Sequence, residues 1–426
     1  MHVVESVGRA KSVIGAPPPL QQTGVDHAPE PRHRTCDPQQ TLARVRPFAR
    51  QMGITRIGNI TGLDHIGIPV ATAIRPNSRS VSVSLGKGLS LAQAMTSALM
   101  EAAENFHGEE LSGRFRFATY RELASCSAVA SPDGLPRTAK RLDDDTAIPW
   151  IEGFDLLRLE PCWVPAELVH TDCTIPAMSG SGHFLTSSNG LGAGNCRSEA
   201  LVAAICEVIE RDAVALWKAR GIRARAQHAL VLASVSDADC RRLLRLYDAA
   251  GMMVRLWNVT SDIRVPAFVC DIRPGAEREE PLARRFRGAA CHPDRAIALA
   301  GALTEAAQTR LTYISGARDD LPPEDYGNPQ TARIGEALLD VFTAEAAGCE
   351  FDALAGPSAR EPDEVVRGLL ECLAAAGCKR VVAVDLTQSD IGIPVVRVVI
   401  PGLESPADDP RYRPGPRARA AAGAVR

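Results

Sequence analysis

The chain has no apolar run approaching the roughly eighteen residues of a membrane-spanning helix, so no membrane span is expected. It also lacks an excess of charge of either sign. With 48 basic and 51 acidic side chains the net charge is −3, which gives no global attraction to nucleic acid or anionic lipid, although Arg284, Arg285 and Arg287 can act locally. Its 12 cysteines include no C-x-x-C pair. Several lie in apolar runs, as Cys206 does in Ala203–Ile209, which favours buried reduced thiols over a disulfide framework or a zinc site. Met1–Ala16 is broken by Glu5, Arg9 and Lys11 and has no apolar core of signal-peptide length, so a cytoplasmic protein is expected. Neither a Walker A loop nor the spacing of a dinucleotide fingerprint surrounds Gly86–Gly88, so neither common nucleotide-binding fold is supported.

What is present is a globular composition, 45% hydrophobic and 23% charged over 426 residues, enough for one large domain or two intimately packed ones. Residues 1–33 are rich in Pro, Gln, His and Gly and are expected to form a flexible N-terminal arm. The folded part is expected over 34–404, with Ser131–Asp145 as a polar link between halves and 405–426 as a Pro/Arg/Ala-rich tail without a core pattern. Ser80–Leu85 alternates as a strand and Ser90–Phe106 follows as a helix. Met252–Val259, Val265–Ile272, Arg380–Leu386 and Val395–Ile400 read as strands, while Asp237–Ala250 and Asp363–Ala376 read as amphipathic helices. Long helices after strands, with several hairpins, predict an α+β fold.

A self-similar pattern runs through it. Gly86–Asn105 aligns without a gap on Gly192–Arg211, each a Gly-x-Gly turn, a helix start and a helix ending in Glu-x-x-Glu. A degraded third copy at His292–Arg310 puts Glu305 and Gln308 at the acidic positions, and Ile-Gly-Ile-Pro-Val occurs at Ile66–Val70 and Ile391–Val395. Internal pseudo-symmetric repeats from a duplicated unit are the expectation. Residues three apart share a helix face, so Glu101 with Glu104 and Glu207 with Glu210 project side by side. A solvated, salt-bridged face is the ordinary reading of one such pair. Here no Lys or Arg lies between Leu89 and Phe106 or between Ser198 and Glu210, and only Arg211 is within reach of Glu207. Like charges on Ala- and Leu-rich helices need a cation from elsewhere, and Mg2+, a hard ion held by carboxylate and phosphate oxygens, meets that need. Ser97, Ala203 and Gly301, one turn before each acidic pair, leave room for a ligand. The Gly-x-Gly turns are expected to bring backbone N–H groups to an anion, with Lys87 as a point charge for phosphate.

These residues resemble the YcaO family over roughly Arg34–Glu404. S-x-x-x-E-x-x-E matches Ser97, Glu101 and Glu104; S-N-G-L-x-A-G-N matches Ser188–Asn195; E-x-x-E-R matches Glu207, Glu210 and Arg211. The runs 61–70, 305–310, 316–320 and 401–404 are most similar to the TfuA-associated branch. The resemblance implies a YcaO-like fold of mixed sheets and long helices, ATP and Mg2+ as cofactors, and phosphorylation of a peptide-bond oxygen. It implies Glu101, Glu104, Glu207 and Glu210 as magnesium and phosphate ligands, helped by Glu199, with Asn195 and Arg211 on the nucleotide. Arg34 and Thr41 resemble a basic residue and a hydroxyl that the family sets on the nucleotide. Ser97 and Gln308 belong to the same nucleotide-binding set, and Arg310 and Arg318 are candidate phosphate contacts or surface helix-end arginines. Asn105 replaces the Arg that many relatives carry there.

The implied chemistry needs no protein nucleophile, so neither Cys196 nor Cys291 is assigned as one, and His292 is read as structural. The TfuA-associated resemblance implies thioamide formation on a ribosomally made peptide or protein, with a TfuA-like partner, a sulfur donor and a possible homodimer. Azoline formation by cyclodehydration is the alternative, although the P-x-P-x-P tail of such relatives is absent. A non-catalytic peptide-binding scaffold is the reading of another class, and the intact acidic pairs argue against it.

Overall fold

The structure, a computed structural model, describes residues 34–221, 225, 227–275, 285–318, 348–353, 361–405 and 409–423. The N-terminal arm expected over 1–33 lies outside them. Strands are β1 Arg56–Asn59, β2 Val70–Ile74, β3 Val83–Lys87, β4 Phe115–Ala118, β5 Ile148–Asp155, β6 Glu160–Pro165, β7 Leu191–Ala193, β8 Met252–Asn258, β9 Ala267–Pro274, β10 Phe286–Cys291, β11 Val382–Asp385 and β12 Val395–Val399. Helices are α1 Pro38–Val45, α2 Leu91–Glu109, α3 Tyr120–Ala124, α4 Arg197–Ala219, α5 Ala238–Ala249, α6 Arg295–Ser315, α7 Pro362–Ala375 and α8 Pro416–Gly423. The strands form antiparallel sheets in the orders β1-β2-β3, β10-β9-β8 and β4-β5-β11-β12-β7, with β6 on β5. The expected mixture of strands and long helices is therefore present. Among the described residues no helix is long and apolar enough to cross a membrane.

Three strand–helix units build the centre. β3 leads into α2, β7 into α4 and β10 into α6, and each strand lies at the edge of its sheet. A glycine in each strand allows the helix to approach. A Cβ on Gly86 would stand 2.0 Å from the Ala98 nitrogen, one on Gly192 2.6 Å from the Ala200 oxygen, and one on Gly288 2.3 Å from the Ala302 oxygen. Backbone on backbone leaves no space for a side chain to yield. This corrects the reading of the Gly-x-Gly turns as an anion cradle: the amide of Gly88 donates to the Pro69 oxygen at 3.3 Å and that of Gly194 to the Pro394 oxygen at 3.1 Å. Those prolines are the equivalent positions of the two Ile-Gly-Ile-Pro-Val runs. In the third unit the His292 amide meets the Pro266 oxygen at 3.0 Å. Each helix also touches the strand of another unit, α2 on β7, α4 on β10 and α6 on β3, so the three close into a ring.

Boundaries differ where side chains capture the backbone. β3 begins at Val83 rather than Ser80, because the Ser80 amide and hydroxyl both donate to Glu109 Oε1, at 3.1 and 2.6 Å. Ser131–Asp145 is no free link: Pro132 and Leu135 are buried, and the Gly134 oxygen accepts the Gly402 amide at 2.6 Å. The tail also folds back, as α8 packs on α4 with Ala418 buried. Its ion pairs were invisible to a reading that looked only for an apolar pattern.

Candidate nucleotide and metal site

α2, α4 and α6 present their acidic positions to one cavity of about 1920 Å3. Ser90 starts α2 by accepting the Gln93 amide at 3.3 Å, and Asp294 starts α6 by accepting the Ala296 amide at 2.8 Å. These caps fix where each helix begins, and hence which turn reaches the cavity. Glu101, Glu104, Glu207 and Glu210 all line it, as do Ser97, Ala203 and Gly301, the small residues one turn earlier. The units are stitched together at this point: Glu104 Oε1 accepts the Ala193 amide of β7 at 2.7 Å.

The electrostatics show a site short of cations. Burial, aided by Glu207, raises the Glu101 carboxyl to about 7 in spite of Lys87 and Arg318. Burial and Glu101 push Glu104 well above the carboxylate range, and burial raises Glu207 although Arg211 opposes it. Glu210 is raised to about 7 by burial, with Glu305 and Glu207 adding to it. Arg211 lies 3.5 Å from Glu207 and 3.6 Å from Glu210, and the buried Oε1 of Glu210 accepts no hydrogen bond among the described residues. Hard oxygen donors whose charge is unbalanced suit a divalent cation. Among the described residues no three His, Cys, Asp or Glu side chains form a ready-made metal cage.

The third unit has a different solution. Lys87 pairs with Glu305 across β3 and α6. Burial works against the Glu305 charge, yet Lys87 and Arg211 hold its carboxyl below the usual range. Lys87 is thus engaged by a protein carboxylate rather than standing as a free point charge. Gln308 lines the cavity and donates to the Leu85 oxygen at 3.4 Å, and Arg318 lines it too.

Arg34, Thr41 and Asn195 form the remaining predicted wall. Thr41 donates to Asn195 Oδ1 at 2.9 Å, and Asn195 donates through its amide and side chain to Glu199 Oε2, both at 3.0 Å. Glu199 does not reach the cavity wall. Its oxygens accept from the Thr35 amide at 2.5 Å, the Thr35 hydroxyl at 2.7 Å and Arg34 at 3.4 Å. Burial opposes its ionisation, but the Thr35 and Asn195 hydrogen bonds lower its pKa. Glu199 therefore fastens residues 34–35 to the start of α4, directly behind Arg34 and Asn195 of the cavity wall.

Arg310 is also drawn away from the wall. Its Nε and Nη2 donate to Asp64 at 2.9 and 3.3 Å, and it lies over the Phe286 ring at 5.5 Å. This buried pair joins α6 to the loop before β2, so the predicted phosphate contact is a structural tie. Cys196 stands at the N-terminal boundary of α4 without a side-chain capping bond, and Cys291 is buried in β10, with its thiol pushed up by burial. His292 Nδ1 accepts the Asp294 amide at 3.0 Å, a structural role at the head of α6. Sequence reasoning missed Arg397 on β12, which is buried, donates to the Ser187 oxygen at 2.7 Å and acts electrostatically on Glu207. A single arginine among the valines at 395–399 was the signal.

The cavity between α2, α4 and α6 gathers Glu101, Glu104, Glu207, Glu210 and Glu305 beside Arg34, Lys87, Arg211 and Arg318, the hard oxygen donors and cations of the kind that a metal–phosphate site uses. The pattern described as YcaO cyclodehydratase, ATP- and Mg2+-binding, matches residues 85–404. The chain belongs to the YcaO family. It is 36% identical over 381 residues to a protein in the tfuA 3′ region of Rhizobium leguminosarum bv. trifolii, covering 87% of this chain and 88% of that one. A protein of Methanothermobacter thermautotrophicus is 35% identical over 393 residues, 90% and 97% of the two chains. Among solved structures, YcaO from Methanopyrus kandleri bound with AMPPCP and Mg2+ matches with a TM-score of 0.68 and 26% identity, over 90% of this chain and 96% of that one. A heterocyclase in complex with substrate and cofactor shares the fold at a TM-score of 0.72 and 22% identity. The match covers 88% of this chain and 53% of the heterocyclase.

Proposed function

We propose that the chain replaces oxygen by sulfur in a backbone amide of a ribosomally made peptide or protein, using ATP and Mg2+ and a TfuA-like partner. The similarity to the protein of the tfuA 3′ region carries this choice of reaction. An amide oxygen is a poor leaving group, and bound Mg2+–ATP supplies the phosphoryl group that lets it depart as phosphate. Glu101, Glu104, Glu207 and Glu210 would hold the metal from the two facing helices. Arg211, Arg34 and Arg318 would neutralise phosphate charge, with Asn195 and Thr41 orienting the nucleotide. The cavity exceeds the roughly 300–1,000 Å3 of a small-ligand pocket, leaving space for a peptide beside the nucleotide. Leu91, Ala92, Ala296 and Ala300 also line the cavity, apolar surface that suits an extended segment. No side chain need bond to the substrate, because sulfide supplied by a donor is the nucleophile.

Azoline formation is the second reading, supported by the family description and the heterocyclase fold. A substrate peptide incubated with the chain, its partner, ATP, Mg2+ and sulfide distinguishes the two by mass. Exchange of oxygen for sulfur is expected to add about 16 Da, whereas dehydration removes about 18 Da, according to which atoms leave with the phosphate. An unchanged mass in every mixture would favour a binding scaffold.

A further inference from the structure

Behind the nucleotide wall, α4 carries a carboxylate that the site does not use. Asp212 follows Arg211 directly, and two steps from Glu210 turn the helix by about 200°, so Asp212 points away from the cavity side. It is fully buried, at 0% exposure. Arg417 of α8 donates to both of its oxygens, Nε to Oδ1 and Nη2 to Oδ2, each at 2.9 Å. The Glu404 amide adds a third hydrogen bond at 3.0 Å. Arg417 Nη1 also reaches Asp262 at 3.1 Å. A second buried carboxylate locks the same segment: Glu404 accepts from the Tyr412 hydroxyl and from the amides of Gly415 and Ala418, all at 2.8 Å. The tail therefore cannot leave α4 without stranding two buried charges.

We propose that the C-terminal helix is a clamp on the active-site helix, in which Arg417, acting through Asp212, fixes how α4 presents Glu207, Glu210 and Arg211 to Mg2+–ATP. Arg417 is a positioning residue that touches no ligand. Bidentate guanidinium–carboxylate geometry fixes orientation as well as distance, and displacements of about 1 Å near reacting groups can cost about a hundredfold in rate.

The test uses the full chain and compares Arg417→Met, Arg417→Lys and the double variant Arg417→Met with Asp212→Asn. Three quantities are measured: the melting temperature without ligand, hydrogen exchange of the α4 amides without ligand, and Kd for Mg2+–AMPPCP. Arg417→Met should melt earlier, exchange faster around Glu207–Asp212 and bind nucleotide at least about tenfold more weakly. Arg417→Lys, which keeps the charge but not the fork, should fall in between. The double variant removes the stranded charge, so its melting temperature should recover while exchange stays fast and affinity stays weak. Recovery of all three together, or unchanged exchange in Arg417→Met, would overturn the clamp and leave Arg417 as a fold-stabilising residue. Failure of the cavity assignment has a different signature, equal nucleotide affinity in wild type and Glu207→Gln.

Discussion

Glu101→Gln and Glu207→Gln are each expected to lower ATP turnover by at least about a hundredfold, roughly 2.7 kcal/mol of transition-state stabilisation, while making the ligand-free protein more stable. The first effect follows from removing a charged oxygen ligand while keeping its shape. The second follows from burial, which raises the Glu101 carboxyl from 4.5 to about 7. A folded-state pKa above the unfolded value penalises the ionised fold. The penalty is absent below about pH 4.5, where the group is protonated in both states; it grows as pH rises and is complete above about pH 7. Since Glu101 is only half-buried where it lines the cavity, about 2 kcal/mol or less is expected. Melting curves should show Glu101→Gln exceeding wild type at pH 8 and matching it near pH 4. Lower stability at pH 8 would mean that these carboxylates hold the fold together rather than wait for a cation.

The Asp64–Arg310 pair gives the second large effect. Both side chains are almost completely buried, at 2% and 4% exposure, so removing one partner strands the other. Asp64→Asn or Arg310→Met should cost about 3–5 kcal/mol, read from the midpoint of urea unfolding. At a temperature where the variants stay folded, the KM for ATP should change by less than about twofold, because neither residue lines the cavity. A raised KM with unchanged stability would return Arg310 to the phosphate.

The difference between these pairs marks what a sequence can show. That Glu101, Glu104, Glu207 and Glu210 line one cavity was legible because helical periodicity fixes which residues share a face, and because the scarcity of Lys and Arg along those helix turns is a local property. The strands at 252–258, 267–274, 382–385 and 395–399 and the helices at 91–109, 238–249 and 362–375 were legible for the same reason, with ends shifted by a few residues, whereas β1, β2, β4, β5 and β6 carry patterns too short or too mixed to be read. The glycines at 86 and 192 were found by their spacing but assigned the wrong task, since close strand–helix packing and anion binding leave the same trace. The contacts of Glu199, Lys87 and Arg310 were not legible because their partners, Thr35, Glu305 and Asp64, are distant in sequence. The docking of α8 was hidden likewise: Arg417 looked like tail composition until Asp212, 205 residues away, completed it.

The most direct measurement is the position of the metal. Crystals of the full chain grown with AMPPCP and Mn2+ in place of Mg2+ should give anomalous peaks within about 2.0–2.3 Å of carboxylate oxygens from the Glu101/Glu104 and Glu207/Glu210 pairs, with nucleotide phosphate completing the shell. Peaks at Glu305 instead, or nucleotide bound with these four glutamates untouched, would contradict the assignment.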